Sequence, residues 1–190
     1  SDHSAPWLDH EHWRLELSTG WLRYRDPRRF GMLIRCSAAE LSSHPRIKDL
    51  GPEPLQASWS DEDFVAVCKR SQRPIKILIM DAATVVGVGN IYAAEALFAA
   101  GIDPRRRASA IAPRRLKRLK FEIIQVLNRA LDSGGSTVRN FVSSDGAPGY
   151  FAQQLAVYGR ENKTCLTCPH SLSLIRLGGR STVFCRRCQR

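Results

Sequence analysis

Four cysteines in two Cys-x-x-Cys pairs constrain this chain more than any other feature. Cys165 and Cys168 lie in "KTCLTCPH", Cys185 and Cys188 lie in "STVFCRRCQR", and sixteen residues separate the pairs. Two residues between thiols let both sulfurs of a tight turn reach one ion. Two such turns complete a tetrahedron and leave no open position for chemistry. The pattern predicts one structural Zn2+ held by four thiolates. Two disulfides or a thioredoxin-like redox pair are the alternatives, although a redox pair requires neither a second pair nor the arginines and glycines around it. His170 is a spare donor expected on the surface. Cys36 and Cys68 are far apart in sequence and read as reduced structural thiols. With no signal peptide at the start, a reducing, cytoplasmic compartment is expected.

Charge narrows the partners. The 190 residues carry 29 Lys and Arg against 18 Asp and Glu, a net charge of +11. "PRRRASAIAPRRLKRLK" holds eight basic residues and no acid, and residues 151–190 hold seven basic residues and one acid, Glu161. A solvated basic face is the plain explanation of any one such stretch. Basic stretches in separate regions favour a nucleic-acid surface. No apolar run approaches the length of a membrane span.

The hydrophobic pattern predicts an α+β chain. "HWRLELSTGWLRY" alternates around "STG" and reads as a β-hairpin, with "RFGMLIRC" as the next strand. Two or three strands are too few for an independent sheet. The chain also begins with Ser1, so the expectation is of a sequence that starts partway through a larger protein. "LGPEPLQAS" is a Pro/Gly linker, and beyond it the pattern turns helical. "SWSDEDFVAVCKRS" has Ser60 as N-cap and acids in its first turn; "RPIKILIMD" is a short apolar helix; "NIYAAEALFAAG" is a third. "PRRLKRLKFEIIQVLNRALDSGG" is the longest helix, with Leu116, Leu119, Ile123, Leu127 and Leu131 on one face. "STVRNFV" is a last short helix before the glycine-rich loop "SSDGAPGYF".

Two stretches carry candidate chemistry. In "VVGVGNIYAAEALFAAG", Gly87 and Gly89 permit a tight turn and Asn90 opens a helix, whose amides make an anion site. The alternative is a plain helical corner capped by Asn90. In "RYRDPRRFG", Pro27 fixes a turn from which Arg28 and Phe30 project. A cation beside an aromatic suits insertion into a base stack. The alternative is a hairpin with Phe30 in the core and Arg29 paired with Asp26.

Together, "DPRRFG", "LGPEPL", "VVGVGNIYAAEALFAAGI", "SDGAPGYFAQQLAVYGR" and "TCLTC…FCRRCQR" resemble formamidopyrimidine-DNA glycosylase, of the helix-two-turn-helix base-excision repair family. The likeness runs from about His10 to Arg190. It implies the end of an N-terminal β-sandwich over residues 1–50, a helix-two-turn-helix domain over 51–150 and a four-cysteine zinc-finger hairpin over 151–190. It implies an enzyme that flips an oxidised purine from the duplex, expels it through a Schiff base and cuts the strand by β,δ-elimination. In this family the nucleophile is an N-terminal proline amine followed by glutamate, and a hairpin lysine and a loop methionine contribute. None has a counterpart: Ser1 is not proline, and Lys48 and Met32 lie in other motifs. The expectation is therefore a chain that binds DNA without excising bases. Its remaining lysines are expected to have ordinary pKa values and so to be protonated.

By resemblance, Asn90 and Arg180 grip phosphates near the lesion, and Arg180 also serves the δ-elimination. Arg28 and Phe30 fill and wedge the gap, His10 contacts DNA, and Lys76 lies near the lesion pocket. Val138, Arg139, Asn140 and Phe141 match the loop that reads the oxidised purine. Where some members have a lysine-rich run before this point, "KRSQRPIK" places Ser71, with Lys69, Arg70 and Arg73 as substitute phosphate contacts. The implied partner is double-stranded DNA with oxidised bases or abasic sites, bound by a monomer in a bacterial-type, nucleoid-associated setting. An endonuclease VIII-like glycosylase for oxidised pyrimidines and a non-catalytic DNA-binding fragment are the competing assignments.

Overall fold

The computed structural model describes residues 6–27, 29–133 and 155–190. Its contacts divide into two compact units, Ser1–His44 and Pro45–Arg190. Among the described residues no helix is long and apolar enough to cross a membrane.

The first unit is built on the expected hairpin: β1 (Glu11–Leu17) pairs antiparallel with β2 (Gly20–Arg25). Cross-strand partners Trp13 and Tyr24 stack with ring centroids 5.1 Å apart, the kind of pair that stabilises a ladder. Arg14 lies over the rings of both Trp7 and Trp21, at 4.5 and 5.0 Å. The predicted strand over "RFGMLIRC" is absent. Residues 29–36 carry no regular structure and pair with no strand among the described residues. Alternation alone cannot make a strand where no ladder partner takes up its backbone groups. Helix α1 (Ala38–Leu41), which the apolar pattern does not announce, is closed by a capping box: Ser37 Oγ accepts from the Glu40 amide and Glu40 accepts from that of Ser37.

The second unit holds α2 (Asp61–Arg70), α3 (Ile75–Ile79), α4 (Asn90–Ala99), α5 (Pro113–Asp132) and the hairpin β3 (Ser173–Leu177)–β4 (Arg180–Phe184). Ser60 Oγ accepts the Asp63 amide at 3.0 Å, as its N-cap assignment requires. Pro113 starts α5 where its missing amide costs nothing. The apolar face of α5 packs Leu116, Leu119, Ile123 and Val126 against Leu97 of α4 and Phe64 and Cys68 of α2. Each of these fully buried leucines or isoleucines contributes about 1.5–3 kcal/mol. Leu131 departs from the predicted face: it is 64 % exposed, and Ala130 is buried in its place. Lys120 is drawn down to Asp61 at 2.9 Å and over the Trp59 ring, which ties α5 to the start of α2. The "LGPEPL" stretch is docked rather than loose. Gly51 N–H bonds Ala82 O, Pro52 O accepts the Val86 amide, and a Cβ at Gly51 would come within 2.7 Å of the Thr84 backbone.

Candidate nucleic-acid interface and metal centre

The metal centre is set by two turns. Backbone bonds across 162–172 fold the first Cys-x-x-Cys turn: Cys165 N–H donates to His170 O, and Leu172 N–H donates to Lys163 O. The second turn follows β4 directly, and Cys188 N–H points at Cys185 Sγ at 3.4 Å. The four sulfurs of Cys165, Cys168, Cys185 and Cys188 lie within 4.8 Å of one another. Two of their spacings are 3.9 Å (Cys165–Cys188) and 3.5 Å (Cys168–Cys185). A tetrahedron with Zn–S bonds of about 2.3 Å needs sulfurs about 3.8 Å apart, so the donor set fits zinc and leaves no ligand position open. His170 is exposed and stands outside this set. Cys68, by contrast, is buried and its thiol is pushed up to about 12 by burial, an inert structural thiol.

The finger is fastened to the helices at several points. Its small core, Val157, Leu172, Val183 and the thiols, includes Ala94 of α4, with Phe98 packed beside it. Buried Gln189 accepts the Cys185 amide and donates to Ile102 O, both at 2.9 Å. Arg115 of α5 donates to the carbonyls of Gly101 and Arg190. Glu95, 6 % exposed on α4, accepts the amides of Ala156, Val157 and Tyr158 at 2.8–3.0 Å. An acid in the middle of the apolar "AAEALFAA" is the sequence signal that marks such a buried carboxylate.

The candidate phosphate grip lies where α3, α4 and the finger hairpin meet. Gly87, with φ +78, turns the chain into α4. No side chain caps the amides of α4, because Asn90 is its first residue and turns elsewhere. The expected alternative, Asn90 as cap, is not what forms. Lys76 Nζ donates to Asn90 Oδ1 at 2.7 Å, Thr182 Oγ1 at 2.6 Å and Ser181 O at 3.1 Å. Asn90 Nδ2 donates to the same Ser181 carbonyl at 3.1 Å. Burial, with Arg180 nearby, pushes the Lys76 amine down to about 8. The expectation of ordinary lysine pKa values therefore fails at this residue. Lys76 and Arg180 also line a cavity of about 190 Å³ with Arg73, Ile77, Asp81 and Gly178. The glycines of "GGR" have φ +57 and +74, the tight turn that joins β3 to β4, and a Cβ on Gly178 would collide with Ile77.

Of the remaining site residues, His10 and Phe30 belong to the first unit. In the first unit, Asp26 Oδ2 accepts the Tyr24 hydroxyl at 3.1 Å and the Gly31 amide at 2.7 Å, closing the "DPRRFG" loop. Phe30 on that loop is 80 % exposed, against the alternative that buries it. His10 is exposed with φ +63. Arg28 and the quartet Val138, Arg139, Asn140 and Phe141 lie outside the described residues, as do "STVRNFV" and "SSDGAPGYF". Lys76, Asn90 and the start of β4 are thus brought together. Thr182 and Ser181 join them, and Glu95 and Gln189 fasten the finger, without having been singled out by motif.

Residues 50–142 match the formamidopyrimidine-DNA glycosylase H2TH domain, and residues 162–190 match the zinc finger found in FPG and IleRS. The formamidopyrimidine-DNA glycosylase of Shewanella loihica is 48 % identical over 187 residues, 98 % of this chain and 69 % of the relative. That of Pseudomonas aeruginosa is 49 % identical over 187 residues, 98 % of this chain and 68 % of its own length. The MutM (Fpg) protein of Thermus thermophilus superposes with a TM-score of 0.91 at 38 % identity, covering 97 % of this chain and 70 % of its own. Lactococcus lactis Fpg, solved with DNA containing an abasic site, gives a TM-score of 0.90 at 31 % identity, covering 99 % of this chain and 69 % of its own. With the four-cysteine centre, the helical corner at Asn90 and the hairpin that carries Arg180 in one unit, and with identity near one half across almost every residue, the chain belongs to the formamidopyrimidine-DNA glycosylase family.

Proposed function

We propose that this chain serves base-excision repair as the DNA-gripping part of a glycosylase and AP lyase for oxidised purines. The observation that carries the reading is the meeting of Lys76, Asn90, Arg180 and the uncapped N-terminus of α4. A helix N-terminus with a lysine, an arginine and an amide donor around it suits a phosphodiester. The solved Lactococcus lactis relative holds abasic-site DNA, and abasic or oxidised DNA is the partner proposed here. Zinc locks the finger hairpin and takes no part in bond breaking. Arg180 clamps a phosphate and assists the δ-elimination, exposed Phe30 wedges the stack with Arg28, and His10 contacts DNA. The 138–141 quartet reads the purine. A monomer acting on the bacterial chromosome in the cytoplasm completes the assignment.

Glycosylase chemistry through a Schiff base needs a neutral amine at the sugar C1′. Burial pushes the Lys76 amine toward neutrality, yet Lys76 is 1 % exposed with its three donors engaged. The polypeptide of these 190 residues is therefore proposed to bind DNA without excising the base. Borohydride trapping on an 8-oxoguanine duplex tests this. No crosslink is expected from residues 1–190 alone, and one is expected once a Pro-Glu-led family segment precedes them. A crosslink from residues 1–190 themselves contradicts the proposal.

A further inference from the structure

No motif singles out Thr182, yet its surroundings are unusual. It is 1 % exposed on β4, two residues beyond Arg180. Its hydroxyl accepts a hydrogen bond from Lys76 Nζ at 2.6 Å, the shortest of that amine's three bonds, and donates to Arg180 O at 3.4 Å. The acceptors around the Lys76 ammonium are all neutral: an amide oxygen, a carbonyl and this hydroxyl. A buried ammonium compensated only by dipoles depends on each of them. Lys76 in turn holds Asn90 Oδ1, which fixes which end of the carboxamide faces outward. One Nδ2 hydrogen goes to Ser181 O, and the other remains for a ligand.

We propose that Thr182 is a positioning residue for DNA binding: its hydroxyl closes the cage that holds Lys76 against Asn90 and steadies the backbone of Arg180. The inference rests on the assignment of Asn90 and Arg180 as phosphate ligands. Removing the hydroxyl leaves Lys76 with two acceptors, weakens its charged form and frees the Asn90 amide to turn. Arg180 on β4 is the charge that bears on Lys76; α4 faces Lys76 with neutral Asn90, and Arg73 and Asp81, which line the same cavity, are paired at 2.6 Å.

The test compares Thr182→Val, Thr182→Ala and Thr182→Ser in the zinc-loaded 190-residue chain, each checked for one zinc per chain. Two quantities are read: the Lys76 titration by side-chain NMR, without DNA, and the Kd for a duplex with a tetrahydrofuran abasic analogue. Val and Ala are expected to weaken binding about tenfold, the scale of one hydrogen bond to a charged group. They are also expected to make Lys76 titrate at lower pH, while Ser stays within about twofold of the unsubstituted chain. If Val loses zinc, Ala decides by the same criteria. Lys76→Met combined with either should bind no worse than Lys76→Met alone. Unchanged Lys76 titration and Kd in the hydroxyl-free variants, a Ser variant as weak as Val, or additive losses in the double variant would each overturn the proposal. A chain that does not bind the duplex at all sinks the phosphate assignment instead, and the Lys76 titration still decides the cage.

Discussion

The second unit contains two cores that are stabilised in different ways. The helical core is a broad apolar cluster to which α2, α3, α4 and α5 all contribute, and Leu116, Leu119 and Ile123 are sealed from solvent. The finger core is a handful of side chains, Val157, Leu172 and Val183 with Ala94 of α4, and thiols make up the rest. A cluster that small cannot offset chain entropy by burial alone. The difference is between a fold that apolar burial supports and one that a metal completes. Both meet at α4, which gives Asn90 to the grip, Ala94 to the finger core and Leu97 to the helical core.

If that contrast is right, breaking one core should leave the other standing. The largest effect is expected for Cys185→Ser. Zinc should fall from one per chain toward none, and the amides of β3 and β4 should exchange freely, because metal binding and folding of such a site are one process. Protected amides in α5 should persist. Loss of protection in both places would show a single core. Next in size is Leu119→Ala, expected to cost about 2–5 kcal/mol for a fully buried leucine and to lower the melting temperature without releasing zinc. Zinc release at the same temperature as helix melting would erase the distinction.

A smaller effect is expected from pH, and it sharpens how the two cores are joined. Lys76, on α3 and bonded to β4, has its amine pushed down to about 8 from an ordinary 10.5 by burial and by Arg180. Between those values the unfolded chain binds more protons than the folded one. Stability must therefore rise with pH through that window, by about 1 kcal/mol between pH 7 and 9. Lys76→Met removes the charge and should flatten that rise, as denaturant titrations at the two pH values would read. DNA affinity, which favours the ammonium, should move the other way.

Much of this was legible in the sequence, for reasons that differ by element. The zinc ligands were readable because metal spacing is local: two residues within each turn suffice. The α5 face followed from spacings of three and four, and failed only at Leu131, which stays exposed while Ala130 is buried. The Ser60 cap was a residue-level signal and α1 had one too, Ser37 and Glu40 at capping-box spacing, hidden in an otherwise plain stretch. "RFGMLIRC" misled because a strand depends on a partner that alternation cannot supply. The Lys76–Asn90–Thr182 cage was not legible as a whole. Its members lie 14 and 106 residues from Lys76, so only folding shows that they share hydrogen bonds. Asn90 looked like a cap because its position at the helix start is that of a cap; the buried ammonium beside it claims its side chain instead.

The central claim is that the phosphate grip is assembled jointly, from the start of α4 and the zinc-locked hairpin. Binding of an abasic-site duplex, measured before and after zinc is stripped, tests it most directly, with far-UV circular dichroism of the helices recorded on the same samples. Tight, salt-sensitive binding should be lost on stripping while the helical signal largely remains, and zinc should restore it. Undiminished binding by zinc-free chain with its helices intact would contradict the account.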